Sequence, residues 1–161
     1  MREQGQEWMK MKNINHGFAA PNMVCICVDH VTDGKIEGRL YHYYAEEPEM
    51  VKDMIQLLQC LEQFYDKIDF PQAAERLRKF SGNAKESRKG KELPKPVTGR
   101  EFLMKQRGTQ ATFLLHVQYR QNATWQGQIM WKEKTKILKF CSDLELLGIL
   151  DNALNINQEL E

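Results

Sequence analysis

Val24-Cys25-Ile26-Cys27-Val28-Asp29-His30 opens on a β-branched, apolar run, and the Asp33-Gly34 that follows is the dipeptide favouring the type I′ turn of a two-residue hairpin. Lys35 to Tyr44 reads as the returning strand. The hairpin decides the fold because it comes twice. When the chain is slid on itself by 89 positions, Val28 falls on Val117, Gly38 on Gly127, Leu40 on Ile129, Leu58 on Leu147 and Leu61 on Leu150, and rings pair by size, His30 with Tyr119 and His42 with Trp131. Internal repetition of this kind marks one supersecondary unit used more than once.

In the second occurrence the strands are Ala111 to Gln121 and Thr124 to Glu133, joined at Asn122-Ala123, where Asn tolerates a left-handed turn. A short third strand follows in each, around Glu49–Lys52 and Ile137–Cys141. The helix starts coincide under the same offset. Ser142-Asp143-Leu144-Glu145 is a capping box, with Asp53-Met54-Ile55-Gln56 as its counterpart. Apolar residues then recur at helical spacing, at Met54, Ile55, Leu57, Leu58, Leu61, Phe64 and Tyr65, and at Leu144, Leu146, Leu147, Ile149, Leu150 and Leu154. Each unit reads as β-β-β-α. The fold class is therefore α+β: duplicated units related by a pseudo-two-fold axis, their antiparallel strands in one six-stranded sheet or two facing sheets, with one helix per unit over the apolar faces. Gly38 and Gly127, both mid-strand, mark a bulge or the close passage of a helix.

Outside the two units the pattern changes. Residues 1–23 read as a mobile tail in which Trp8, Met9 and Met11 are the docking candidates. Residues 24–80 are the first unit plus a short helix begun by Asp69-Phe70-Pro71, proline being tolerated in a first turn, and running to about Phe80. Residues 81–99, rich in Gly, Ser, Lys and Pro, read as a basic linker. Residues 100–161 hold a short helix, opened by the capping box Thr98-Gly99-Arg100-Glu101 and closed by Gly108, and then the second unit.

A chain of 161 residues can bury roughly 68–70% of its unfolded surface, and its 42% hydrophobic and 28% charged residues are ordinary for a globular protein. No run approaches the length of a bilayer span, and Met1-Arg2-Glu3-Gln4 lacks the apolar core of a signal peptide, so the expectation is a cytoplasmic protein without membrane contact. In that compartment four cysteines are reduced thiols, not a disulfide framework, and the Asn122-Ala123-Thr124 sequon carries no sugar. The net charge of +1 conceals a segregation. From Val24 to Glu75 four basic residues face eleven acidic ones, a net of −7, whereas from Arg76 to Lys139 sixteen basic face four acidic, a net of +12. Such asymmetry points to halves that face each other, or to an anionic partner for the basic half.

The stretch Val117-Gln118-Tyr119-Arg120-Gln121-Asn122-Ala123-Thr124-Trp125-Gln126-Gly127 resembles a string found in small uncharacterised Firmicutes proteins, the likeness extending over most of the second unit. The resemblance implies a bacterial, cytoplasmic protein and assigns no activity and no site.

Three constellations could carry chemistry. Cys25 and Cys27 share a strand face, and a two-residue turn at Asp33-Gly34 would set His42 opposite Cys25, so with Cys60 from the helix they could begin a zinc site; against this, a lone Cys-x-Cys lacks paired ligand spacing and cysteine is a common core residue. No metal or other cofactor is assigned on this basis. Catalytic signatures are missing: there is no Gly-x-Ser-x-Gly, phosphate-binding loop or His-Glu-x-x-His, and Glu46-Glu47-Pro48-Glu49 is most simply a solvated turn. The second unit is the most suggestive. Tyr119, Trp125 and Trp131 share a hairpin with Arg120, Lys132, Lys134 and Lys136, after a linker bearing Lys85, Arg88, Lys89 and Lys91, and rings among cations suit single-stranded nucleic acid. The plain alternative is core, favoured for Trp125 because Ile36 occupies the equivalent position.

The leading expectation is a non-catalytic binding or interaction protein, with a protein partner or a second copy of itself, the acidic unit of one copy pairing with the basic unit of the other. A sequence-tolerant nucleic-acid binder is the alternative, and a small-molecule enzyme without a recognisable motif comes third.

Overall fold

The computed structural model describes residues 20–73 and 92–159, with side chains through residue 155. The chain forms β1 (Val24–Thr32), β2 (Lys35–Tyr41), β3 (Glu49–Val51), α1 (Met54–Ile68), α2 (Arg100–Lys105), β4 (Ala111–Tyr119), β5 (Gln126–Trp131), a 3-10 turn (Lys132–Lys134), β6 (Lys136–Phe140) and α3 (Asp143–Glu159). All six strands join one antiparallel sheet in the order β3-β2-β1-β4-β5-β6, which decides between one sheet and two. β1 and β4 are the central pair.

Both hairpin turns are left-handed at two successive residues, Asp33 and Gly34 (φ 50° and 74°) and Asn122 and Ala123 (φ 55° and 56°), the geometry whose twist matches that of the strands it joins. The registers repeat as well. Val28 pairs with Gly38 and Val117 with Gly127; Gly38 pairs with Val51 and Gly127 with Phe140; and the pairing slips by one residue between Val28 and His30 and again between Val117 and Tyr119. At each slip the strands come so close that a Cβ on Gly38 would sit 2.2 Å from the Cys27 carbonyl oxygen, and one on Gly127 2.1 Å from that of His116. The bulge accounts for both mid-strand glycines.

The sheet is covered on both faces. On one, Val24, Ile26 and Val28 of β1 and Phe113, Leu115 and Val117 of β4 pack under Leu57, Leu61, Phe64 and Tyr65 of α1 and Leu146, Leu150 and Leu154 of α3. On the other, Cys25, Cys27, Leu114 and Met130 meet α2, whose Leu103 is fully buried. Burying a leucine this way contributes about 2 kcal/mol, an upper value because the unfolded chain is not fully extended.

Several boundaries differ from the sequence reading, each for a local reason. β2 ends at Tyr41 because the Tyr44 amide turns back to donate to His42 Nδ1 (3.0 Å). β5 starts late because the Trp125 amide and the Thr124 hydroxyl both donate to Asp143 at the start of α3 (2.8 Å each). Thr98 caps no helix; its hydroxyl donates to the His42 carbonyl, and α2 begins without a side-chain cap and ends before Gln106, short of Gly108. Asp69 ends α1 in a left-handed turn, a cis Phe70–Pro71 bond follows, and Ala73 bridges to Arg120, so residues 69–73 do not open a helix; 74–80 lie outside the described residues. Packed structure begins before Val24: Asn22 and Met23 are buried, and the Asn22 amide donates to the Val117 carbonyl (2.7 Å). Trp8, Met9, Met11 and most of the linker also lie outside the described residues.

Candidate functional site

The helix-covered face is not sealed evenly, and the reason lies in two small residues. On α1, Phe64 stacks on His42 with ring centroids 4.3 Å apart and planes 18° from parallel, and Tyr44 lies 6.1 Å from both rings. Counting 89 residues on, α3 presents Ala153 where α1 has Phe64 and Gly148 where α1 has Gln59, while the sheet has Trp131 where it had His42. A cleft of about 400 Å³ results. Its floor is Phe113, Ile129, Trp131 and Leu138 from the sheet, and its wall is Gly148, Ile149 and Ala153 of α3. A Cβ on Gly148 would meet nothing within 4 Å, so the glycine opens space and does not relieve a contact.

Lys136, Glu145 and Asn152 are the polar groups that line the cleft. Glu145 is already engaged, its Oε2 accepting from the Cys141 amide (2.9 Å) in the start of α3. The Trp131 indole N–H is buried without a hydrogen-bond partner among the described residues, an uncommon state for a buried donor. Its ring tilts against Phe113 at 5.9 Å and carries the Lys134 ammonium 5.7 Å from its centroid. Comparison of the chain with protein-family models, with curated proteins and with solved structures finds no match.

The residues singled out as nucleic-acid candidates separate into two groups. Tyr119, Lys134 and Lys136 are exposed. Arg120 and Lys132 are buried and bound inside the fold: Arg120 donates to the Pro71 carbonyl and to Asp66 (2.7 Å each) with Glu62 3.5 Å away, and Lys132 Nζ donates to the Met104 carbonyl (2.6 Å). Burial, which disfavours the charged ammonium, lowers the Lys132 pKa. Lys85, Arg88, Lys89 and Lys91 lie outside the described residues. Trp125 is core, edge-on to Tyr65 at 5.6 Å, its indole N–H donating to Glu62 (2.8 Å).

The slip at Asp29 also separates the metal candidates. Cys25 pairs with Tyr41 and not with His42, so the two cysteines face α2 while His42 faces α1. Their sulfurs are 3.8 Å apart, and the Cys25 thiol is pushed up by its bond to Cys27 and by burial. Among the described residues no three His, Cys, Asp or Glu side chains come together to hold an ion, and no helix is long and apolar enough to cross a membrane.

The cleft itself was missed at the level of sequence. Its signal was the loss of a ring under the 89-residue offset, Phe64 to Ala153, which reads as a conservative apolar change until His42 and Trp131 are seen beneath it.

Proposed function

We propose that the chain is a non-catalytic binding protein, made of two copies of one β-β-β-α unit, in which the first copy has closed the space between helix and sheet and the second keeps it open for a ligand. The duplication is supported by registers that recur at an offset of 89 in both hairpins and both edge pairings, by the paired bulges and by the glycine facing each of them. The central pairing has the symmetry that a two-fold axis requires: exchanging the halves turns Val24–Leu115 into Phe113–Ile26, also a pair, and returns Cys25–Leu114 to itself. The helix starts match too. The Gln56 amide donates to Asp53 while the Lys52 amide donates to Gln56, and 89 residues on the Glu145 amide donates to Ser142 while the Cys141 amide donates to Glu145.

The observation that carries the functional reading is the cleft at Trp131, placed where the first copy has the His42–Phe64 stack. Its volume falls in the range of small-molecule sites, largely apolar with a few polar groups. The lining holds no nucleophile hydrogen-bonded to a base, the pairing that covalent chemistry needs, which favours holding a ligand over transforming it. The test is a series of ¹H–¹⁵N spectra of the full chain titrated with fragments of several classes: aromatic acids, aliphatic acids, amines and neutral rings. At least one class should move the Trp131 indole and the Gly148 and Ala153 amides together and saturably, with the fragment recovered unchanged. A set that moves none of these signals removes the binding reading.

A further inference from the structure

We infer that the cleft takes a flat aromatic ring system carrying a carboxylate, an inference that rests on the cleft being the binding site. The shape comes from the first half of the molecule, which fills its own space with an aromatic ring, Phe64, lying nearly parallel to His42 at 4.3 Å. In the second half the sheet residue is a larger ring, Trp131, and the helix residue that would cover it is Ala153. Trp131 therefore lacks the helix-borne ring that covers His42, and an aromatic ligand in the cleft would supply that ring-on-ring contact, which is favourable beyond the area it buries.

The charge comes from the polar groups. The side chains of Lys136 and Asn152 have no hydrogen-bond or ion-pair partner among the described residues, whereas the Trp131 N–H is enclosed and is not among the groups a ligand meets. The carboxylate of the cleft, Glu145, is held by the Cys141 amide, and Lys134 sits over the indole. The free groups are thus chiefly donors and cations, and charge-assisted bonds from a lysine to a carboxylate are the strong kind. The polarity belongs to this half alone, because the residues 89 positions before Lys136 and Leu138 are Glu47 and Glu49.

The probes are 2-naphthoate, its neutral counterpart 2-naphthylmethanol and the aliphatic acid octanoate, titrated into the full chain by calorimetry. Naphthoate should bind one to one. Ala153→Phe, which restores the ring found in the first half, and Gly148→Leu, which fills the cleft from a position with open space, should each abolish binding while the circular dichroism melt stays cooperative. Lys136→Gln should weaken naphthoate about tenfold and leave naphthylmethanol unchanged. Octanoate binding as tightly as naphthoate, or a Lys136→Gln variant with unaltered preference, would overturn the ligand class while the cleft stood as a site. Naphthoate binding that survives both filling variants would place the ring elsewhere and overturn the site as well. No heat with any probe overturns the aromatic-acid proposal, and the fragment spectra then decide the wider reading.

Discussion

His42 shows how much one residue's surroundings change its chemistry. Stacked on Phe64 and accepting the Tyr44 amide at Nδ1, it is held as neutral imidazole. Burial lowers its pKa, the Glu49 carboxylate raises it and Lys67 lowers it further, with burial the largest influence. In the unfolded chain a histidine titrates near 6.5. Above that pH both states are neutral and stability is at its full value. As the pH falls through 6.5 the unfolded chain takes up a proton that the folded one refuses, so stability declines until the lowered pKa is passed. Melting temperatures recorded from pH 8 to 5.5 should fall accordingly, and His42→Phe, which keeps a ring on Phe64 but cannot titrate, should flatten that slope. An unchanged slope would mean that His42 is not the group responsible.

At the level of the elements, the two hairpins are built around a backbone approach that no side chain could share. Gly127 faces the His116 carbonyl at the β4 bulge as Gly38 faces that of Cys27 at the β1 bulge. Relief would require strand backbone to move, since the obstructing atom is a carbonyl in the middle of a sheet. Gly127→Ala is expected to lower the unfolding free energy by about 2–4 kcal/mol in a urea titration. Gly148→Ala is the matched control. It adds the same methyl to an open position of α3, where alanine is the better helix former by about 1 kcal/mol, and should be neutral or stabilising. Equal losses in the two variants would remove the close-approach explanation. The helices show a second element-scale effect: their inner positions match in burial, Leu57 with Leu146 and Leu61 with Leu150, and they differ at the positions that border the cleft, Gln59 against Gly148 and Phe64 against Ala153.

Across the whole molecule, the halves are fastened by more than the β1–β4 pairing. Arg120, at the end of β4, reaches the C-terminal end of α1 through Asp66, the Tyr65 carbonyl and Pro71, and Trp125 at the start of β5 reaches Glu62 on the same helix. Burial raises the Glu62 pKa, while its bond from Trp125 and the charge of Arg120 act against that. Within the chain, then, part of the positive charge of the second half already answers the negative charge of the first. Exposed charge remains, with Lys134, Lys136 and Lys139 on one half and Glu46 and Glu47 on the other, and the sequence-based expectation of pairing between copies would draw on it. Size-exclusion chromatography with light scattering should return the dimer mass at low salt and the monomer mass, 18.9 kDa, at high salt. A monomer at both salts would confine the charge asymmetry to contacts inside one molecule.

Much of this fold was legible in the linear order of residues. Asp33-Gly34 and Asn122-Ala123 announced turns that need positive φ, the capping residues Asp53 and Ser142 announced helices, and the spacing of apolar residues assigned each element a face, because these are short-range preferences of the backbone and of water. The mid-strand glycines pointed to a bulge without placing the slip at Asp29, one residue in the pairing of two strands, which moves His42 away from Cys25 and onto Phe64. Nor did the linear order tell that Arg120 and Lys132 would be buried beneath carbonyls while Lys136 stayed in water. Those outcomes belong to three-dimensional packing. A charge is solvated or enclosed according to which distant backbone comes to lie over it, and a cleft exists only where two elements, each regular in its own sequence, leave between them a volume that neither side chain set can fill.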